Sequence, residues 1–161
     1  VSAPQNVLIS LEERHANRIL DGTKTVELRR RTMHVAVGAT VWFYVKLPVG
    51  SVVGCAKVVA LHTLSPRALW SQFGSVSGLQ RQEFFGYFEG LPKAFALGLS
   101  EPTRLASPIS LNRLREVSSG FHPPQFFANV ASDGPLLRAM TRARHPEPAT
   151  PARRRRVAEL A

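Results

Sequence analysis

Apolar and polar positions change period several times along this chain, and each change marks an element. "NVLISL" (6–11) is a short, nearly continuous apolar run and reads as a first strand. From Leu11 to Asp21 the apolar residues Leu11, Ala16, Ile19 and Leu20 share one helical face, and Gly22 stands where a C-terminal cap belongs. Period two takes over at Thr25 to Arg30, which sends Thr25, Glu27, Arg29 and Arg31 to one face of a strand and Val26 and Leu28 to the other. After a turn at Gly38, "TVWFYV" and "SVVGCAKVVALHTL" read as two more strands around the turn signal "LPVG". Ser65 and Pro66 form an N-cap and first-turn pair for "ALWSQF". Ser77 is placed to cap "GLQRQEFFGYF", whose Phe84, Phe85, Tyr87 and Phe88 are assigned to packing. "KAFALGLS" reads as another strand, "SPISLNRLREV" as an extended piece entering a helical turn, and "GFHPPQFFANV" as a Pro-bent closing segment.

Strands close in sequence, interrupted by short helices without regular alternation, predict an α+β protein rather than a doubly wound parallel sheet. The expected architecture is a small, strongly curved sheet or barrel. Residues 1–131 are expected to form the folded unit. Residues 132–161, Pro-rich and then basic, are expected to be a flexible tail, with "SDGPLLRAMTRAR" as a short helix inside it.

Length and composition narrow the class. A chain of 161 residues has the size of one ordinary domain, and 44% hydrophobic with 20% charged residues excludes global disorder. No apolar run approaches the roughly 18 residues of a membrane span, and the start of the chain lacks the pattern of a secretory leader. A cytoplasmic protein without membrane association is expected. Cys55 is the single cysteine, which excludes an intrachain disulfide and a Cys-based zinc site; an inert buried thiol is expected. The five histidines are scattered without ligand spacing and read as ordinary surface or core residues, so neither a metal nor a cofactor is expected.

Charge adds a partner. With 21 Lys+Arg against 11 Asp+Glu the net charge is +10, and a polyanion is the natural counterpart. Seventeen of those cations are Arg, which suits bidentate phosphate contacts and equally follows from a GC-rich genome. The tail ends in Arg153, Arg154, Arg155 and Arg156, a run suited to nonspecific phosphate contacts or to simple solubility.

The charged row near the first helix has two readings. On spacing alone, Glu27 pairs with Lys24 or Arg29 on a solvated strand face and contributes about 0–1 kcal/mol. The alternative is a ligand site. "GTKTVELR" (22–29) matches the pattern G-x-K-x-x-E-x-R, and "SPRALWSQFG", "SGLQRQEFFGYFEG", "KAFALGL" and "FHPPQFFANV" follow it in order. In these segments, over about residues 6–130, the chain resembles the ASCH domain family, a branch of the PUA-like β-barrels.

That resemblance implies a PUA-like barrel and a cleft beside the first helix that binds RNA, another nucleic acid or a nucleotide. Lys24, Thr25, Glu27, Arg29 and Arg30 carry over as ligand-binding residues, with Gln125 among them on a wall formed by Pro124, Gln125 and Phe126. Separately, of the three consecutive aromatics Trp42, Phe43 and Tyr44, core packing explains two, and Trp42 is the one expected to offer a base a stacking surface. Glu12 and Glu13 replace the Lys-Pro or Gln-Pro of many relatives and make the rim acidic. Two catalytic readings accompany binding: a metal-free nuclease using Lys24, Glu27 and His34, or a hydrolase of the N4-acetylcytidine amidohydrolase kind. The latter would keep Lys24 as its base, but the threonine of that triad falls at Glu27 and its glutamate near Gly74 or Ser75. Oligomeric state is open on this reading.

Overall fold

The computed structural model describes residues 3–146. Six strands form one sheet in the order β2-β5-β4-β3-β1-β6: β1 (Asn6–Leu11), β2 (Val26–Arg29), β3 (Thr40–Val45), β4 (Ser51–Leu64), β5 (Ala94–Ser110) and β6 (Phe127–Asn129). β1 runs parallel to β3, and the other pairings are antiparallel. Register breaks between β4 and β5, and one between β3 and β4, curl the sheet into an open half-barrel, because each bulge adds local twist. The expected α+β class and strongly curved sheet are both present. β2 and β6 are the two edges, so the barrel keeps a seam.

Alternation along the strands divides the core. Val7, Ile9 and Leu11 of β1 and Val41, Phe43 and Val45 of β3 line the interior of the curl, together with Ala16 and Ile19 of α1 (Glu13–Leu20). Leu8, Trp42 and Tyr44 face the other way, under α4 (Leu111–Val117) and α5 (Pro135–Arg144). A third cluster joins Val26 and Leu28 of β2 to α2 (Pro66–Phe73) and α3 (Arg81–Tyr87). All three consecutive aromatics of β3 are therefore packed. Trp42 is 1% exposed and its indole N–H donates to Asn6 Oδ1 at 3.0 Å, so it offers no surface to a base.

Two further expectations are corrected. Met140 of α5 is fully buried in the second cluster, so the folded body runs past residue 131 through this helix. Three arginines make "PLLRAMTRAR" look like part of a basic tail, but its Leu136, Leu137 and Met140 cover Trp42 and Tyr44. Ser77 caps no helix: α3 starts at Arg81, while the buried Ser77 hydroxyl donates to Gly74 O at 2.8 Å and accepts from Leu79 N–H at 3.3 Å. Ser65 does cap α2, accepting from Ala68 N–H at 3.2 Å. The four arginines at 153–156 lie outside the described residues. No described helix is long and apolar enough to cross a membrane.

Candidate functional site

The site begins with the way α1 ends. Gly22 takes φ +86°, a left-handed conformation that a side chain would resist, and the chain turns sharply into β2. The Lys24 N–H bonds to Arg18 O at 2.9 Å, and Thr25 N–H to Val76 O at 3.0 Å. Lys24 is thus turned inward at the junction of α1, β2 and the 76–79 turn. Its ammonium donates to Ser77 O, and its stem lies against Gly78, where an added Cβ would stand 3.0 Å from Lys24 Cδ.

Val26 and Leu28 go to the core, and the opposite face of β2 presents Glu27 and Arg29, as alternation requires. What the pattern concealed is depth. Lys24 is 2% exposed and Glu27 7%, so the row is not a solvated face. Glu27 lies between two cations, with Lys24 Nζ at 3.9 Å from one oxygen and Arg29 Nε at 3.8 Å from the other. Those distances support attraction but exceed hydrogen-bond length. Glu27 Oε2, Arg29 Nε and Arg29 Nη2 are buried with no hydrogen-bond partner among the described residues.

These groups line a cleft of about 200 Å³ between α1, β2 and α3. His15 joins them from α1, half-buried, with Nδ1 also buried and unpartnered. Tyr87 closes the α3 side and donates from its hydroxyl to Leu28 O at 3.3 Å. At the rim, Arg14 donates to Glu12 at 3.1 Å and grips both carboxylate oxygens of Glu83. Lys46 completes a lining of four Lys and Arg side chains against three carboxylates.

Burial and neighbours set the protonation states. Desolvation pushes the Lys24 pKa below that of an ordinary lysine, partly offset by Glu27. Desolvation, then the Lys24 charge, depresses His15 and favours a neutral imidazole. The Tyr87 phenol is pushed up by burial and stays protonated. Glu83 is held below the usual carboxylate range by its hydrogen bonds from Arg14. Among the described residues no group of three or more His, Cys, Asp or Glu is placed to hold a metal ion.

The structure brings Lys24, Glu27 and Arg29 together and leaves other expected residues apart. Thr25 spends its backbone on Val76 and Leu99 and does not line the cleft. Arg30 is exposed and lines a neighbouring groove, and Gln125 is exposed and lines neither. His34 is exposed, with its carbonyl accepting from Gln5 Nε2, and is outside the cleft; the histidine in the site is His15. The sequence pattern assigns His15 and Tyr87 to ordinary surface and packing roles, whereas both line the cleft. Glu12 is at the rim, as expected of an acidic helix start, but it is paired with Arg14.

An open, curled α+β sheet with a polar cleft between its first helix and second strand defines a PUA-like class of fold. A family model for the ASCH domain matches residues 9–103, and the chain belongs to that family. It is 40% identical over 123 residues to a protein of Zymomonas mobilis named ASCH domain-containing ribonuclease, covering 75% of this chain and 81% of that one. The crystal structure of ASCH from Zymomonas mobilis superposes with a TM-score of 0.79 at 34% identity, covering 84% of this chain and 94% of that one. A serine-to-alanine variant of that protein gives 0.80 at 33%, covering 88% and 97%. The N-terminal domain of McrB from Staphylothermus marinus shares the fold alone, with a TM-score of 0.54 at 10% identity and coverage of 89% and 94%.

Proposed function

We propose that this protein binds RNA and seats one nucleotide of the strand in the cleft beside α1. The observation that carries the reading is the convergence of buried polar atoms without partners: His15 Nδ1, Glu27 Oε2, and Nε and Nη2 of Arg29. Burying such groups unpaired costs roughly 1–3 kcal/mol each, so a ligand that satisfies them recovers a substantial free energy. Arg29 supplies donors for a phosphate or base carbonyl. Glu27 accepts from a base amino group. The relative named as a ribonuclease directs the choice among nucleic acids toward RNA.

That relative, together with the lowered pKa values of two bases in one cleft, favours a second reading in which the bound RNA is cut. Neutral His15 would take the proton of a ribose 2′-hydroxyl, whose oxygen attacks the adjacent phosphorus. Lys24 and Arg29 would hold the charge that develops on phosphate. Protonated Tyr87, on the α3 side of the cleft, would give the leaving 5′-oxygen its proton. Deacylation of a modified nucleoside is less well supported, because Glu83, the carboxylate nearest the missing catalytic position in sequence, is committed to Arg14.

The test is binding of single-stranded RNA, duplex RNA and duplex DNA at two salt concentrations, with strand integrity checked afterwards. RNA binding that weakens about tenfold to a hundredfold in Glu27→Gln is expected, the loss typical of a charge-assisted hydrogen bond. Equal binding by the variant to every nucleic acid would remove the cleft from the function. Shortened products that vanish in His15→Gln establish the cutting reading.

A further inference from the structure

We infer that the seam of the half-barrel is a second nucleotide subsite, in which a base of single-stranded RNA stacks on Phe126 while Arg30 and Arg31 hold the neighbouring phosphate. The inference rests on the RNA-binding reading and extends it to the form of RNA recognised. Between the edge strands β2 and β6 lies a groove of about 610 Å³, floored by Met33 and Phe127. It shares Arg29 and Tyr87 with the cleft, so the two sites are contiguous. One nucleotide held in the cleft places the next beside this groove.

Three features give the groove its chemistry. Arg29, Arg30 and Arg31 line it without a single carboxylate, whereas the cleft balances its cations with Glu12, Glu27 and Glu83. The two large exposed aromatic side chains among the described residues, Tyr87 and Phe126, both face it. Phe126 is 55% exposed, with the Arg31 guanidinium 5.5 Å from its ring centroid. Arg31 covers one face of this exposed ring, and a base can stack on the other, with the arginine adding positive charge beside the strand.

The platform is also fixed in place. Ser10 Oγ donates to Pro124 O at 2.5 Å, and from Phe127 the chain pairs with β1. Phe126 is therefore held between two anchored points rather than on a free loop. In a duplex every base face is already covered by its neighbours, so this ring can take a base only from a single strand. The groove thus supplies a preference for unpaired RNA that the balanced charges of the cleft do not.

The test compares a 5′-mononucleotide, a single-stranded 2′-O-methyl oligonucleotide and a 2′-O-methyl duplex, modified so that no 2′-hydroxyl can attack. Phe126→Ala should weaken oligonucleotide binding about tenfold while leaving mononucleotide and duplex binding unchanged, and Phe126→Tyr should retain the affinity. Phe126→Trp should place an indole whose emission is quenched by the single strand and unaffected by the duplex. Phe126→Ala binding the single strand like wild type, or losing all three ligands in proportion, would overturn the subsite and leave the cleft reading intact. Failure of the wild-type protein to bind any of the three would overturn the cleft reading itself.

Discussion

Lys24 and Arg31 stand near the two ends of β2 and meet opposite environments. Lys24 is 2% exposed, donates to Ser77 O and faces Glu27 in a cleft where three carboxylates answer the cations. Arg31 is exposed, has no carboxylate beside it in its groove, and lies over a phenyl ring that is itself exposed. Equal charge thus has two uses within one short segment. In the cleft, burial makes every interaction strong and every unpaired group costly; in the groove, solvent leaves the cations free to exchange water for phosphate. Positive charge in the sequence measures neither use until depth is known.

The largest effect that can break this contrast is on stability. Removing one partner of a buried ion pair leaves the other charge uncompensated, which costs about 3–5 kcal/mol. Arg29 still faces Glu27 in Lys24→Met, so the lower end applies: about 3 kcal/mol, or roughly 6–12 °C in Tm for a chain of this size. The double variant Lys24→Met, Glu27→Gln should recover part of that loss, since the stranded carboxylate is gone. Arg31→Ala should stay within about 0.5 kcal/mol of wild type. Thermal melts of the four proteins decide the matter. Equal, small shifts for Lys24 and Arg31 would return the cleft to an ordinary solvated face.

A smaller effect comes from pH. His15 lies among Arg14, Lys24, Glu12 and Glu27, and its pKa in the folded protein is depressed below the ordinary 6.5. The unfolded chain therefore binds the proton more readily. The stability that follows is fully present above about pH 6.5 and is lost as pH falls through the folded-state value. Tm should decline from pH 7 toward pH 5, and His15→Gln should flatten that slope. RNA binding should move the other way, because a protonated imidazole adds a donor and a charge toward phosphate. A slope unchanged in His15→Gln would place the acid sensitivity outside the cleft.

Much of this architecture was legible because period and punctuation are local. Gly22 ends α1, Ser65 caps α2 through its hydroxyl, and the inward and outward alternation of Val26 to Arg29 is as the spacing predicts. Lys24, Glu27 and Arg29 were identified by the family pattern, and they do meet. Depth and long-range partners were not legible. Nothing in "TVWFYV" says that both faces of β3 are covered, since the cover for Trp42 comes from α5, far along the chain. His15 looked ordinary because its neighbours in the cleft, Lys24, Glu27 and Tyr87, come from later elements. Ser77 reads locally as a helix cap, yet its hydroxyl ties the 74–79 turn and its carbonyl receives Lys24.

The finest distinction lies inside the cleft, between its buried floor and its rim. Arg14 and Glu83 form a two-pronged pair, but both side chains are over two-fifths exposed, so solvent screens them. Such a pair contributes at most about 1 kcal/mol, against about 3 kcal/mol for the buried lysine. Glu83→Gln should therefore lower Tm by no more than about 4 °C. It also removes one negative charge from the mouth of the cleft and frees Arg14 to meet phosphate, so RNA affinity should rise, by up to about fivefold. The rise should shrink at higher salt, as interactions between exposed charges do. Both measurements bear on the same point. A large Tm loss would make Arg14 and Glu83 part of the structural floor, and weaker RNA binding would show that Glu83 positions Arg14 for the ligand rather than competing for it.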